Sequence, residues 1–363
     1  MASTTDARTA SSKTARQSSG CRVRAVHRGE LQHSFNVGRN ELLLLSALGQ
    51  GIDYPHNCRV GVCGSCKTKL ISGKIRPMID FALSPLTNAE LEAGYILACQ
   101  SKVHSDLEIE VKIGNHKPPS VKTVASQVVG WRQLPGEVVD LRLRLDEPLS
   151  FEAGQYCSLA ESGSFVRRSY SIYDPPPGEE GATELGFMVK RLPGGAFSEW
   201  LFNENRVGTK IWIEGPFGVM GVHDDDLDRD GLCVAGGTGL APVLSIVADR
   251  LARSDKARFT ILFGARTQAD RFAEPWLDAL VAQAPDRVRV VTVLSDEPAG
   301  SDWDGPRGLI TEPLKDEGFG IDFSKTAAFV CGALPMVQAV EALLIERGVD
   351  PDRIHADKFL PTG

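Results

Sequence analysis

The stretch Pro55-His56-Asn57-Cys58-Arg59-Val60-Gly61-Val62-Cys63-Gly64-Ser65-Cys66, answered further along by Cys99, decides how this chain is read. Three cysteines spaced C-x4-C-x2-C with a distant fourth have the spacing of a two-iron, two-sulfide site, [2Fe–2S], held by four thiolates. Gly61 and Gly64 suit a backbone that must curl around such a body through dihedrals that a Cβ obstructs. The amides from Arg59 to Ser65 can then turn inward toward anionic sulfur. A structural zinc site usually draws its cysteines in two C-x2-C pairs; here there is one such pair, and Cys99 stands alone. A Rieske centre needs two histidines, and His56 is the only one near the loop. The expected metal ligands are therefore Cys58, Cys63, Cys66 and Cys99.

Around this loop lie 363 residues, too many for one hydrophobic core at about 150 residues per domain. With 42% hydrophobic and 24% charged residues the composition is that of an ordinary globular chain. No run approaches the ~20 apolar residues needed to cross a bilayer. The other cysteines, Cys21, Cys157, Cys233 and Cys331, show no pairing logic, which fits the reducing cytoplasm. Residues 21–114 hold 11 Lys and Arg against 9 Asp and Glu, so the excess of acid behind the net charge of −7 lies outside them. Such a balance excludes a nucleic-acid partner and argues against docking by long-range charge attraction alone.

The order of patterns predicts a multidomain chain. Residues 1–20 are too poor in large apolar side chains to be ordered and contain no signal-peptide core. Arg8, Lys13 and Arg16 among hydroxyl residues leave an organelle transit peptide open beside a plain tail. Residues 21–114 read as a small α+β module: a hairpin about Arg28-Gly29-Glu30, a helix over 41–48, a strand over 67–75, a helix over 89–92 and a strand over 107–113. A linker over 115–120 contains Pro118-Pro119. Residues 121–228 hold six short strands, at 126–131, 138–145, 155–159, 168–172, 185–189 and 210–213, with a helix over 197–202, and predict an antiparallel β-barrel. From 229 to 363 apolar strands at 232–235, 259–263, 288–294 and 327–330 alternate with helices, which predicts a parallel α/β sheet.

Two stretches there carry chemistry. Gly236-Gly237-Thr238-Gly239, between a buried strand and a helix, lets backbone and helix N-terminus approach a pyrophosphate; a tight turn would look the same. Arg168-Ser169-Tyr170-Ser171 suits a flavin, with a guanidinium for phosphate, an aromatic for the ring face and a hydroxyl for the ring edge. Plain strand alternation produces the same letters.

Taken together, these motifs resemble the ferredoxin–NADP reductase superfamily over nearly all of the chain after the tail. Arg168 to Ser171 matches its R-x-Y-S flavin motif, implying Tyr170 against the ring and Ser171 near N5. Gly194-Gly195-Ala196-Phe197-Ser198 looks like its second flavin element, where a helix N-terminus meets the cofactor phosphates. Gly236 to Pro242 matches its G-G-T-G-x-A-P nucleotide loop. Cys331-Gly332-Ala333-Leu334-Pro335-Met336 resembles its C-G-x-x-P-M segment, with the cysteine beside the nicotinamide; Ala333-Leu334 replaces the two prolines common there. Cys331 as an inert buried thiol stays an alternative. The first module resembles the β-grasp of plant-type ferredoxins. With a ferredoxin at the N-terminus, Phe263-Gly264-Ala265-Arg266 and the ending His355-Ala356-Asp357-Lys358-Phe359, the chain looks most like the electron-transfer components of xylene and p-cymene monooxygenases. Reductases of benzoate-type and terephthalate-type dioxygenases are next.

The resemblance implies an NADH-dependent reductase with FAD and a [2Fe–2S] cluster. A hydride brings two electrons at once and the cluster accepts one, so FAD would stand between them. Ser171 and Cys331 are the expected catalytic residues, and Phe359 either shields the cofactors or anchors the core. Arg266 suits the extra phosphate of NADPH and Asp270 the ribose diol of NADH, with NADH preferred. The expected acceptor is a terminal non-haem iron oxygenase or hydroxylase, aromatic or alkyl-aromatic by first choice, served by a cytoplasmic monomer with no membrane span. The alternatives are the reductase of a Rieske dioxygenase, a diaphorase or quinone reductase that ends at the flavin, and a redox sensor.

Overall fold

The computed structural model describes residues 20–56, 58–114, 119–164, 166–221 and 226–359. The expected tail, as far as residue 19, and most of the linker lie outside the described residues. The chain divides into two compact units. One runs to Ile52 and resumes over Lys67–Ile113; the other takes Asp53–Cys66 together with the chain from Gly114 on.

In the first unit Arg28 and Gly29, at φ 51° and 83°, turn the chain between β1 (Cys21–His27) and β2 (Glu30–Val37). Helix α1 (Leu43–Gly49) buries Leu43, Leu44 and Ala47. The strand expected over 67–75 is two strands, β3 (Lys67–Ser72) and β4 (Ile75–Pro77). A capping box, in which Thr87 accepts from the Glu90 amide and Glu90 reaches back, starts the short α2 (Asn88–Glu92). Three strands follow: β5 (Tyr95–Leu97), β6 (Ser101–Val103) and β7 (Leu107–Glu110). They complete a sheet in the order β2-β1-β7-β3-β5, with β1 and β7 parallel, and a β4-β6 pair beside it. This is the expected β-grasp.

The second unit begins, after the cysteine loop, with β8 (Lys122–Leu134), β9 (Val138–Leu149), β10 (Tyr156–Glu161), β11 (Arg168–Ser171), β12 (Ala182–Lys190), helix α3 (Ala196–Asn203) and β13 (Lys210–Phe217). The sheet order is β11-β10-β13-β8-β9-β12. Its two edges meet where Ile172 bridges Phe187 and the Tyr173 amide donates to the Gly186 carbonyl at 3.1 Å. That meeting makes a barrel around Leu141, Leu143, Leu159 and Phe187.

Beyond it, β14 (Gly231–Gly236), α4 (Leu240–Arg253), β15 (Phe259–Ala265), α5 (Glu274–Gln283), β16 (Val288–Leu294), α6 (Glu312–Lys315), β17 (Ala327–Ala333), α7 (Leu334–Glu346) and β18 (Ile354–Phe359) alternate. All five strands are parallel, in the order β16-β15-β14-β17-β18. The sequence pattern predicts four of them; β18 is partly exposed at every residue but Asp357 and carries too little apolar signal to stand out. Successive residues of β14 serve opposite layers, Cys233 and Ala235 packing with α4 and α5, Leu232 and Val234 with α7. The first of these cores is not confined to the sheet, since Ala153, Tyr173, Met188 and Met220 from the barrel side belong to it. No helix among the described residues is long and apolar enough to cross a membrane.

Candidate functional site

The cysteine loop has the conformation its glycines suggest: Gly61 and Gly64 lie at φ 85° and 78°, and Arg59 joins them at 58°. The amides of Cys58 and Ser65 point at Cys63 Sγ, 3.5 and 3.4 Å away. Cys58 is held well below the usual thiol range, first by the hydrogen bond from Cys63 and, against the opposing effect of burial, by amides of Val60, Val62 and Cys63. Cys63 is correspondingly pushed up. Amides converging on sulfur are the donor environment of an anionic metal–sulfur group. Cys63, Cys66 and Cys99 are buried and all eight cysteines are unbridged. Among the described residues no three His, Cys, Asp or Glu groups gather as for one metal ion; thiolates around two irons stand farther apart than ligands of one.

A cavity of about 1130 Å³ opens in the second unit, above the usual range of small-molecule pockets. Strand β11 supplies Arg168, Ser169, Tyr170 and Ser171 to its wall. Ser171 is 4% exposed and its hydroxyl has no hydrogen-bond partner among the described residues. A buried hydroxyl left so costs about 1–3 kcal/mol unless a ligand meets it, so this atom fits a flavin edge. Tyr170 packs 5.5 Å from Phe197, and burial pushes its phenol up. Arg168 sits at the rim, donating to the Arg167 carbonyl at 2.9 Å.

At the start of α3, Gly195, Phe197 and Ser198 line the cavity, whereas Gly194 and Ala196 do not. The Ser198 hydroxyl is occupied locally: it accepts from the Leu192 amide at 3.1 Å and donates to the Gly195 carbonyl at 3.2 Å. The amides left at the helix start, not that hydroxyl, are what a phosphate could use.

The carboxyl ends of β14 and β17 bring the glycine loop and the 331–336 segment side by side at the switch in strand order. Gly236, Gly237, Thr238 and Met336 face the cavity. Gly239 does not: a Cβ there would stand 2.3 Å from the Cys331 carbonyl oxygen, so glycine is required to close the two loops together. Met336 rests on Gly236 and Gly332. Cys331 is fully buried and lines no part of the cavity; burial and the charge of Asp357 raise its thiol well above the ordinary range. Asp357, opposite Cys331 in the β17–β18 register, is 5% exposed and does line the cavity, as does Phe359. Asp357 stands within the 355–359 ending, but its role is not legible there because its place depends on the pairing of β18.

At the far end, Arg266 and Asp270 also line the cavity, but neither side chain is without partners. Asp270 closes a capping box with Thr267, and Arg266 donates to Asp296 at 3.1 Å. Glu297 takes both the amide and the side chain of Gln268. The T-x-x-D pattern at 267–270 is a capping signal legible in the sequence. Cys58 and Arg59 line another edge, with the Arg59 guanidinium 4.8 Å from the Phe217 ring centre.

Three family models match in this order: a 2Fe-2S iron-sulfur cluster binding domain over residues 26–104, an oxidoreductase FAD-binding domain over 127–221 and an oxidoreductase NAD-binding domain over 233–342. The chain is 36% identical to the xylene/toluene monooxygenase electron transfer component of Pseudomonas putida over 327 residues, 90% of each chain. It is 33% identical to the reductase component of the naphthalene 1,2-dioxygenase system of the same species, over 91% of this chain and 96% of that one. Among solved structures, the Amycolatopsis cytochrome P450 reductase superposes with a TM-score of 0.71 at 29% identity, covering 94% and 99% of the two chains. The ferredoxin reductase of carbazole 1,9a-dioxygenase gives 0.66 at 30%, covering 94% and 98%. With iron–sulfur, FAD and NAD(H) modules matched and relatives aligned along nine-tenths of its length, the chain belongs to the family of NAD(P)H-dependent ferredoxin reductase components of bacterial oxygenase systems.

Proposed function

We propose that the protein takes hydride from NADH and delivers electrons singly to a terminal non-haem iron oxygenase, an aromatic or alkyl-aromatic monooxygenase before a ring-hydroxylating dioxygenase. The observation that carries this is the sharing of one cavity by the flavin strand, the glycine loop and Cys58 of the cysteine loop. FAD, when bound, accepts an electron pair and releases it one electron at a time. The residues do the placing. Arg168 grips a flavin phosphate, Tyr170 covers the ring and Ser171 donates its hydroxyl at the ring edge. The start of α3 receives the flavin phosphates, and 236–239 receives the pyrophosphate of NADH. Asp357 sits where a carboxylate can orient the nicotinamide side of the cavity. Cys58, Cys63, Cys66 and Cys99 hold the cluster. The three modules fall at 21–114, 121–228 and 229–363. Asp296 occupies Arg266, and with Glu297 and Asp302 nearby on Gln268 the rim repels a 2′-phosphate, which favours NADH. The similarity to the xylene/toluene monooxygenase component supports the choice of acceptor.

The test is Cys63→Ser in purified protein. Cytochrome c reduction by NADH should vanish while ferricyanide reduction by NADH continues. Loss of both, or of neither, would overturn the division of labour, the second outcome pointing to a diaphorase that ends at the flavin.

A further inference from the structure

The two halves of the cavity are joined behind its wall by one fully buried hydroxyl. Ser245, on α4, donates to the Asp174 carbonyl at 2.7 Å, and its Oγ accepts from the Gly154 amide at 3.4 Å. Ser245 belongs to the nucleotide layer; Gly154 and Asp174 belong to the barrel. A serine among the apolar residues of a buried helix face has no hydrophobic reason to be there, and both of its barrel partners are main-chain groups that a side-chain substitution cannot remove.

Its position links the two cofactor elements by short, rigid paths. Ser245 lies six residues beyond Gly239, on the helix that the glycine loop opens. Asp174 lies three residues beyond Ser171, and each peptide between is pinned. The Ile172 amide donates to Gln155 at 3.0 Å and the Tyr173 amide to Gly186 at 3.1 Å. The Asp174 carboxylate holds Arg142 at 2.7 Å and the Gly186 amide at 2.6 Å. Elsewhere the seam includes apolar and aromatic contacts, such as Ile246 against Gly154 and the edge-on Tyr173–Trp276 pair at 5.8 Å, with the Arg132 guanidinium over the Trp276 ring at 5.6 Å. Apolar contacts allow sliding; a hydrogen bond to two fixed backbone groups sets one register.

We propose that Ser245 is a positioning residue for transfer from nicotinamide to flavin, holding the pyrophosphate-loop helix in one register on the flavin strand. The proposal rests on the assignment of Ser171 and 236–239 to the two cofactors. It matters because hydride transfer is steep in distance: a misplacement of about 1 Å costs on the order of 100-fold in rate.

The experiment compares holoproteins of wild type, Ser245→Ala and Ser245→Thr by stopped-flow bleaching of the flavin with NADH. Wild type is the check on the underlying assignment: if its flavin is not reduced by NADH, that reading fails first. In Ser245→Ala the limiting rate should fall about tenfold, with half-saturating NADH changed less than threefold and FAD and iron content full. The long-wavelength absorbance of the NAD⁺ complex of reduced protein should weaken. Ser245→Thr, which keeps the hydroxyl, should recover most of both. In flavin-free protein, hydrogen exchange over 150–156 and 172–174 should quicken in the alanine variant alone. A limiting rate within twofold of wild type in Ser245→Ala, or an equal loss in Ser245→Thr, would overturn the proposal whatever happens to the melting temperature. If the alanine variant loses its flavin, Ser245→Cys, which keeps a weaker donor, carries the same comparison.

Discussion

The parallel sheet of the second unit has two ends, and they treat polar groups in opposite ways. At the carboxyl end the chain ends its strands in glycine loops, leaves helix amides open and stands beside a buried hydroxyl, that of Ser171, with no partner among the described residues. At the amino end charge is enclosed by rings and ion pairs, with Arg250 Nε and Nη1 left without a hydrogen-bond partner among the described residues. Arg250, fully buried, lies between the rings of Phe259 and Phe329 at 5.3 and 5.4 Å and donates to the Arg229 carbonyl at 2.9 Å. Asp226, 5% exposed, meets Arg229 at 3.2 Å, His355 at 3.5 Å and Arg353 at 3.6 Å. The same architecture thus covers its charge with rings and ion pairs at one end and turns its polar groups toward a cavity at the other, as expected where parallel strands present their carboxyl ends to a crevice.

If this contrast is right, substitutions at the two ends should separate rate from stability. The largest effect is expected at Ser171→Ala: the limiting rate of flavin reduction by NADH should drop about 100-fold while the melting temperature of flavin-free protein stays or rises. An unchanged rate would erase the distinction. Asp226→Asn should do the reverse, costing about 2 kcal/mol in urea unfolding with flavin reduction unaltered.

The same carboxylate gives the contrast a pH signature. Burial alone would raise the Asp226 carboxyl, but the hydrogen bond from His355 and the nearby Arg229 and Arg353 outweigh it and hold it below the ordinary carboxylate range. A depressed folded-state value means stability that is present above the unfolded pKa, about 3.9, and lost as pH falls through the lower folded value. Melting curves from pH 5 downward should therefore fall more steeply for wild type than for Asp226→Asn. The smallest effect belongs to the cavity rim. Asp296→Asn frees Arg266 from an exposed pair, and such pairs are worth at most about 1 kcal/mol, so the NADPH-to-NADH ratio of kcat/KM should rise by about fivefold. A ratio that does not move would remove Asp296 from coenzyme choice.

Much of the site was legible because its chemistry is local. The cysteine loop, Arg168 to Ser171 and Gly236 to Gly239 each lie within a few residues, and loop geometry follows from their spacing. What depends on register was not legible. Asp357 reaches the cavity only because β18 pairs with β17, and Ser245 meets Asp174 only because helix and barrel dock. Cys331 looked like a cavity residue by motif, yet the tight closure of Gly239 on its carbonyl keeps its sulfur in the core. Asp270, the expected ribose ligand, lines the cavity, and its Oδ2 is also held by Thr267 three residues earlier. In the fold, element types followed from periodicity, while β18 and the split of 67–75 turned on pairing partners far away in sequence.

Ala153, Tyr173, Met188 and Met220 share a core with the nucleotide layer, and this sets how the chain can be rearranged. A chimera that imports a foreign nucleotide half after residue 230 inherits a mismatched inner surface, and its coenzyme preference would change only together with its thermal tolerance. Breeding new pairings in this lineage should succeed when barrel and nucleotide halves travel as one cassette.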